Sequence, residues 1–151
     1  MIEEMAVVRR IPFQSESYQE ACRLRDRLLR QPLGLSLFDE DLMEEKEQWH
    51  FGLFDEAQGL MACGVAHQFE PQGAKCAKIR QFAVSEEWQG QGRGRLLMQE
   101  MEDFLRTTGF EKVVLHARAH VRGFYSNLGY VEEGEEFQEV GLMHVRMLKE
   151  I

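Results

Sequence analysis

The chain has little of what would mark it as secreted, metal-bound or membrane-bound. It holds three cysteines (Cys22, Cys63 and Cys76), an odd number at spacings that suit no metal site. No run approaches the ~20 apolar residues that a membrane helix needs. Glu3, Glu4, Arg9 and Arg10 interrupt any apolar stretch near the start, so no secretory signal is expected. A reduced, cytoplasmic protein without a metal or a membrane partner is the plain expectation. Positive charge is also scarce, with 18 Lys and Arg against 26 Asp and Glu, a net charge of -8. That balance argues against nucleic acid as a partner. No Gly-Lys-Ser/Thr triplet closes a Walker loop, and the G-x-G-x-x-G of dinucleotide-binding proteins is absent. There is no nucleophile elbow and no recognisable catalytic triad.

What is present suits a small globular domain. The 151 residues, 44% hydrophobic and 29% charged, fit one domain over 1–151 with a proper core. Met5 to Val8 reads as a strand. Ser17-Tyr18-Gln19-Glu20 matches a capping box, with Ala21, Leu24 and Leu28 following at helical spacing until Pro32. A second, acidic helix is expected from about Asp39 to Glu47. Trp49 to Phe54 and Leu60 to Phe69 are strand-like and joined by a hairpin at Asp55–Gly59. Pro71-Gln72-Gly73 turns the chain into an extended run over Cys76 to Val84. A helix opening at Leu96 carries Leu97, Met101, Phe104 and Leu105 on one stripe, with Gly109 at its C-cap. Lys112 to Ala117 is a strand and His120 to Leu128 a short helix. Val131 to Phe137 and Leu142 to Leu148 form a closing hairpin. The order β-α-α-β-β-β-α-β-α-β-β describes an α/β fold with a mixed sheet. No linker, repeat or low-complexity tract interrupts it.

The most telling stretch is Gln89-Gly90-Gln91-Gly92-Arg93-Gly94-Arg95, which stands between a strand and a helix. Glycine lets the backbone turn tightly and lets a ligand approach without meeting a Cβ. The helix that follows points unpaired N–H groups and its positive dipole end at the loop, which favours a phosphate there. The spacing fits Gln/Arg-x-x-Gly-x-Gly/Ala through Gln89, Gly92 and Gly94. This is similar to the acyl-CoA pyrophosphate loop of the GNAT superfamily of N-acetyltransferases. The segment His116 to Tyr130, with Phe124-Tyr125-Ser126-Asn127-Leu128-Gly129-Tyr130 at its end, resembles a second signature of that superfamily. Phe137-Gln138-Glu139-Val140-Gly141-Leu142-Met143-His144-Val145-Arg146-Met147 resembles the ending of its ElaA/YjcF-like bacterial branch, as does Leu28 to Leu35. Met143 departs from that pattern, where proline is frequent before the histidine.

The resemblance implies the GNAT fold, a mostly antiparallel central sheet flanked by helices. It further implies a sheet splayed between the strands ending at Val84 and Ala117, with acetyl-CoA as co-substrate in the cleft. The backbone at Phe82, Ala83 and Val84 would pair with pantetheine, and an N–H of Phe82 or Val84 would polarise the thioester. The amides of Gln89, Gly90, Gln91, Gly92, Arg93, Gly94 and Arg95 would hold the pyrophosphate, with Phe124 packing beside the cofactor. Tyr125 matches the usual general acid, and a phenol of pKa ~10 suits protonation of a departing thiolate. An amine acceptor must lose a proton before it attacks. His116, Glu139 and His144 are the candidates for that task, whereas His50, His67 and His120 have no supporting context. Strand alternation sets Arg80, Phe82 and Val84 on one face and Gln81 and Ala83 on the other. Either Arg80 or Gln81 reaches the acceptor pocket, or both are ordinary sheet residues. Glu86 and Glu87 could act through water or simply start a helix. The acidic cluster Glu132, Glu133, Glu135, Glu136 and Glu139 reads as solvated surface or as an attractor for a cationic amine. The expected activity is direct acetyl transfer to the primary amine of a small molecule or peptide. The alternative is a CoA-binding sensor that has lost turnover. Oligomeric state is left open, a homodimer included.

Overall fold

The computed structural model describes residues 6–55, Ala57 and 59–151. Met5, Glu56 and Gln58, which belong to the expected first strand and first hairpin, lie outside the described residues. Among the described residues there are seven strands: β1 (Ala6–Arg10), β2 (Trp49–Asp55), β3 (Gly59–Gln68), β4 (Cys76–Val84), β5 (Lys112–Arg118), β6 (Val131–Glu139) and β7 (Leu142–Glu150). They hydrogen-bond in the order β1-β2-β3-β4-β5-β7-β6. The β4–β5 pairing is parallel, while β1–β2, β2–β3, β5–β7 and β6–β7 are antiparallel. This is the mixed α/β sheet that the element order predicts, mostly antiparallel as the resemblance implies. The α-helices are α1 (Glu16–Arg25), α2 (Arg93–Thr108) and α3 (Arg122–Ser126). Among the described residues, no helix is long and apolar enough to cross a membrane.

Two details of the first helical region differ from the expectation. The cap of α1 is Ser15, whose hydroxyl accepts the Tyr18 N–H at 3.2 Å and donates to the Pro12 carbonyl at 2.7 Å. A hydroxyl two residues before the expected box takes the orphan donor first. The acidic segment is not an α-helix but two 3-10 turns, Leu37–Asp39 and Met43–Glu47. Its polar side chains bind nearby backbone instead of leaving it to a helical ladder. Ser36 Oγ accepts from Phe38 N and Asp41 Oδ1 from Met43 N, while Asp26 Oδ1 takes the Leu37 N–H at 2.8 Å.

By its contacts the chain forms two compact units, Met1–His67 with Gln81–Met101 and Gln68–Arg80 with Glu102–Ile151. The first unit packs α1 and the 3-10 turns on its strands, with Ile11, Tyr18, Leu24, Leu37, Phe54, Cys63 and Ala83 in one core cluster. Each large apolar side chain removed from water there contributes about 1.5–3 kcal/mol. Gly64 is required by packing, because a Cβ would stand 2.8 Å from Met101 Sδ and 3.1 Å from the Phe82 ring. Beneath α1, the Glu45 carboxylate accepts two hydrogen bonds from Arg25, at 2.9 and 2.7 Å, and one from Tyr18 at 2.7 Å. His50 Nε2 binds the Glu45 carbonyl at 2.7 Å, which gives that histidine a structural place.

In the second unit Cys76, Ala77 and Lys78 pair with Lys112, Val113 and Val114. The antiparallel β5–β7 register sets His116 opposite Arg146 and Arg118 opposite His144. On the far side of β7, Phe137 of β6 faces His144 and Glu133 faces Arg146, with a register shift between Glu133 and Phe137. Val113, Val114, Leu115, Ala117, Val145 and Met147 are buried. Glu102, also buried, accepts from Tyr130 and Lys149 at 2.8 Å each.

Candidate active site

In the first unit, the glycine loop leads into α2. Gly90 (φ 73) and Gly92 (φ 80) both adopt left-handed backbone, and nothing stands within 4 Å of where their Cβ atoms would lie. The loop is therefore open on that side and conformationally reserved for glycine. Two of its side chains brace it: Gln89 Nε2 donates to the Val84 carbonyl and Gln91 Nε2 to that of Glu87, both at 2.8 Å. The first backbone bond of α2 runs from Leu96 N to Gly92 O, so the amides just before Leu96 have no helical acceptor. The first turn contains no acidic residue and instead carries Arg93 and Arg95. Cations at this end oppose the helix dipole, and a bound anion reverses that penalty. Arg93 is only 6% exposed, its guanidinium stacked 5.4 Å from the Trp88 ring, and its Nε is buried without a hydrogen-bond partner. The loop thus has the donors, the charge and an orphaned buried N–H that a pyrophosphate would satisfy. Arg95 is exposed and Gly94 lies buried inside α2.

Strand β4 enters this unit through Gln81, a non-glycine residue at φ 55 in the middle of a strand. The left-handed residue breaks the alternation expected beyond Arg80, so the simple two-face assignment of Gln81 to Val84 fails. Phe82 turns toward Gly64, while Ala83 is buried and Val84 half-buried. Periodicity gave no hint of Gln81, since the residue itself carries no turn signal. Glu86, after β4, is paired with Arg27 through contacts of 3.1–3.2 Å. The Arg27 hydrogen bond lowers its pKa, which makes it a weaker base.

In the second unit, the candidates His116, Glu139 and His144 lie together, and Lys78 joins them. His116 Nδ1 lies 3.0 Å from Glu139 Oε1, and His144 Nε2 lies 3.8 Å from Glu139 Oε2. The Phe137 ring touches both imidazoles, edge-on to His116 at 5.0 Å and stacked on His144 at 6.0 Å. With Glu139 as the acceptor, His116 carries its proton on Nδ1, which leaves a lone pair on a buried, unpartnered Nε2. Burial lowers the His116 pKa and the charges of Lys78 and Arg146 add to this, while Glu139 pulls the other way. Burial alone would raise the Glu139 pKa, but the His116 hydrogen bond and the charges of both histidines and Lys78 bring it below the usual range. His144 donates Nδ1–H to the Leu142 carbonyl at 2.9 Å, so its Nε2 lone pair faces the carboxylate.

Tyr125 of α3 is 9% exposed and meets Phe124 at 5.0 Å and Tyr130 at 6.0 Å, both edge-on. Burial raises its pKa well above the ordinary phenol value, although Arg118 opposes the shift. The acidic cluster of β6 is partly neutralised: Arg122 pairs with Glu132 at 3.3 Å and Glu136 at 2.9 Å. His120 is exposed and His67 half-buried. Lys78 and Arg146 were not among the sequence candidates for this cluster, and Phe137 heads the terminal motif without having been given a role. The available signal was strand alternation, which gives residues 78, 116, 144 and 146 a common face once the register is known.

The Acetyltransferase (GNAT) domain model matches residues 36–151. The chain belongs to that family. As a GNAT member it is an acyltransferase, and its relatives agree. It is 30% identical over 138 residues to the uncharacterized N-acetyltransferase YitI of Bacillus subtilis, covering 88% of this chain and 91% of the relative. It is also 30% identical over 94 residues to the uncharacterized protein YyaT of the same organism, spanning 58% of this chain and 64% of YyaT. Among solved structures, Escherichia coli ElaA superposes with a TM-score of 0.78 at 21% identity, covering 96% of this chain and 99% of ElaA. A Lactobacillus plantarum structure superposes at 0.82 with 18% identity, covering 96% of this chain and 97% of that one. At these identities the two structures establish the shared GNAT fold.

Proposed function

We propose that the chain transfers an acetyl group from acetyl-CoA directly to the primary amine of a small acceptor. The observation that carries this reading is the glycine loop, where two left-handed glycines, a basic first turn of α2 and an orphaned Arg93 Nε converge. Amides of Gln91 to Arg95 would hold the diphosphate, and the backbone of Phe82 to Val84 would receive the pantetheine arm. Acetyl-CoA supplies the activated acyl group and a thiolate that leaves readily. Tyr125 provides the leaving group's proton. Its hydroxyl is protonated at neutral pH, as a general acid requires, although burial raises its pKa and weakens it as an acid. Glu139 is the exposed member of the histidine cluster and is suited to meeting the acceptor's ammonium. His144 Nε2, facing the second oxygen of that carboxylate, takes up the proton, and His116 holds the carboxylate in place.

A cytoplasmic location belongs to the same proposal. All three cysteines are buried free thiols, and burial pushes the pKa of Cys63 up to about 12, as suits a reduced, unreactive residue. The direct test follows thiol release from acetyl-CoA across a panel of amines, alongside thermal stabilisation by acetyl-CoA, ATP and NADH. Stabilisation by acetyl-CoA alone, with turnover lost in Tyr125→Phe and reduced in His144→Ala, is the expected result. Stabilisation by ATP or NADH instead would overturn the cofactor assignment.

A further inference from the structure

Three strands of the second unit repeat one pattern, a basic residue, a buried apolar one and a second basic residue. They are Lys78-Ile79-Arg80 on β4, His116-Ala117-Arg118 on β5 and His144-Val145-Arg146 on β7. Ile79 and Ala117 are 2% exposed and Val145 1%. Alternation therefore turns the basic side chains to the other face. The register aligns them, with His116 opposite Arg146 and Arg118 opposite His144. A chain of net charge -8 has collected four Lys and Arg residues and two histidines on one patch. Glu133, 3.9 Å from Arg146, and Glu139 are carboxylates in contact with it.

Lys78 stands out within the patch. Its ammonium is half-buried, 5.3 Å from the Phe69 ring centre and 3.5 Å from His116 Nδ1. Because His116 Nδ1 donates to Glu139, it has no lone pair for Lys78. Among the described residues no carboxylate stands within ion-pair distance of this ammonium; burial disfavours its charge, the more distant Glu139 favours it, and Arg80 and Arg146 oppose it. A half-buried cation with no anion in direct contact is unfavourable, and a ligand anion touching it would offset that cost. Lys78 Nζ and Glu139 Oε1 lie 3.5 and 3.0 Å from the same ring nitrogen, so a positive and a negative anchor stand close together.

We propose that this face recognises an acceptor whose carboxylate lies a few bonds from its amine, an amino acid rather than a polyamine. The carboxylate rests against Lys78 and the ammonium against Glu139. The assignment deepens the acyltransferase reading and rests on it. It is tested with L-amino acids, each paired with its carboxamide, and with spermidine as a carboxylate-free amine. Thiol release from acetyl-CoA should show at least one amino acid favoured over its amide by about tenfold or more in kcat/KM, a single charge-assisted contact. Lys78→Met should bring that ratio near one, and Lys78→Arg should restore part of it. Preference for spermidine, equal use of acid and amide, or a ratio unchanged in Lys78→Met would overturn the proposal. So would a Lys78→Met variant that loses acetyl-CoA binding instead, because the face would then serve a CoA phosphate. Equilibrium binding of the same pairs, read by NMR shifts of the whole protein, separates the two readings. Equal binding of acid and amide sinks the carboxylate site, whereas acid-selective binding without turnover sinks only the acyltransfer step.

Discussion

Glu45 in the first unit and Glu139 in the second are both carboxylates set among aromatic rings and basic groups. Glu45 is 2% exposed and its oxygens are filled by Arg25 and Tyr18. Arg25 and Tyr18 both come from α1, and Glu45 ties the 3-10 segment to that helix. The Glu139 side chain is 45% exposed, with one oxygen at His116 and the other at the longer distance of 3.8 Å from His144. The first network is saturated and has no capacity left for a ligand. The second is held in place by one hydrogen bond and keeps acceptor capacity facing outward. Charge and hydrogen-bond partners alone would not tell the two apart. What distinguishes the structural carboxylate from the candidate one here is the share of its bonding that the fold leaves unused.

The comparison breaks most visibly at Glu45. Glu45→Gln removes the buried partner of Arg25, whose side chain is 1% exposed, and urea unfolding should show a loss of about 3–5 kcal/mol. Near-unchanged stability would mean that Arg25 finds another partner and that the network is not closed. Two tyrosines sharpen the contrast next. Tyr125→Phe should slow thiol release by about 10²-fold while unfolding changes little. Tyr18→Phe should lower stability by about 1.5–3 kcal/mol through the lost bond to a charged group, with no comparable effect on turnover. Equal effects of the two substitutions on rate would remove Tyr125 from the chemistry.

Glu139→Gln should behave as the reverse of Glu45→Gln. An exposed pair contributes under about 1 kcal/mol, so stability stays close to that of the parent chain. The KM for the acceptor should rise by about tenfold as a charge-assisted contact is lost. A large drop in stability with unchanged KM would place Glu139 with the structural carboxylates. The smallest effect concerns pH. Burial lowers the His116 pKa in the folded chain, so the unfolded chain binds the extra proton. Stability is then complete above the ordinary histidine value of ~6.5 and falls as pH drops through the lower folded value. Unfolding curves from pH 7 to pH 5 should decline more steeply for the parent than for His116→Gln. Parallel curves would show that His116 is not desolvated.

Much of the scaffold is legible in local pattern. β4 falls where its extended run predicts, Cys76–Val84, and Gly109 ends α2 in a left-handed conformation at φ 112. The stripe Leu97, Met101 and Leu105 is fully buried, joined by Met98, while Phe104 is half-buried. Expectation and structure part where a side chain competes with the backbone ladder. Ser15, Ser36, Asp26 and Asp41 each bind backbone N–H groups and shift or shorten a helix. Gln81 is a different case, because its left-handed backbone is imposed on a residue with no local reason to adopt it.

The left-handed glycines and open helix start of residues 89–95 were determined by the sequence itself, because a glycine's access to positive φ and a helix's unpaired first amides are properties of neighbouring residues. Tertiary structure alone decided that Lys78, His116, Glu139 and His144 share one patch and that Glu45 finds Arg25. Those meetings depend on which strands and turns lie side by side and in what register. Side chains dozens of residues apart carry no local periodicity that records it.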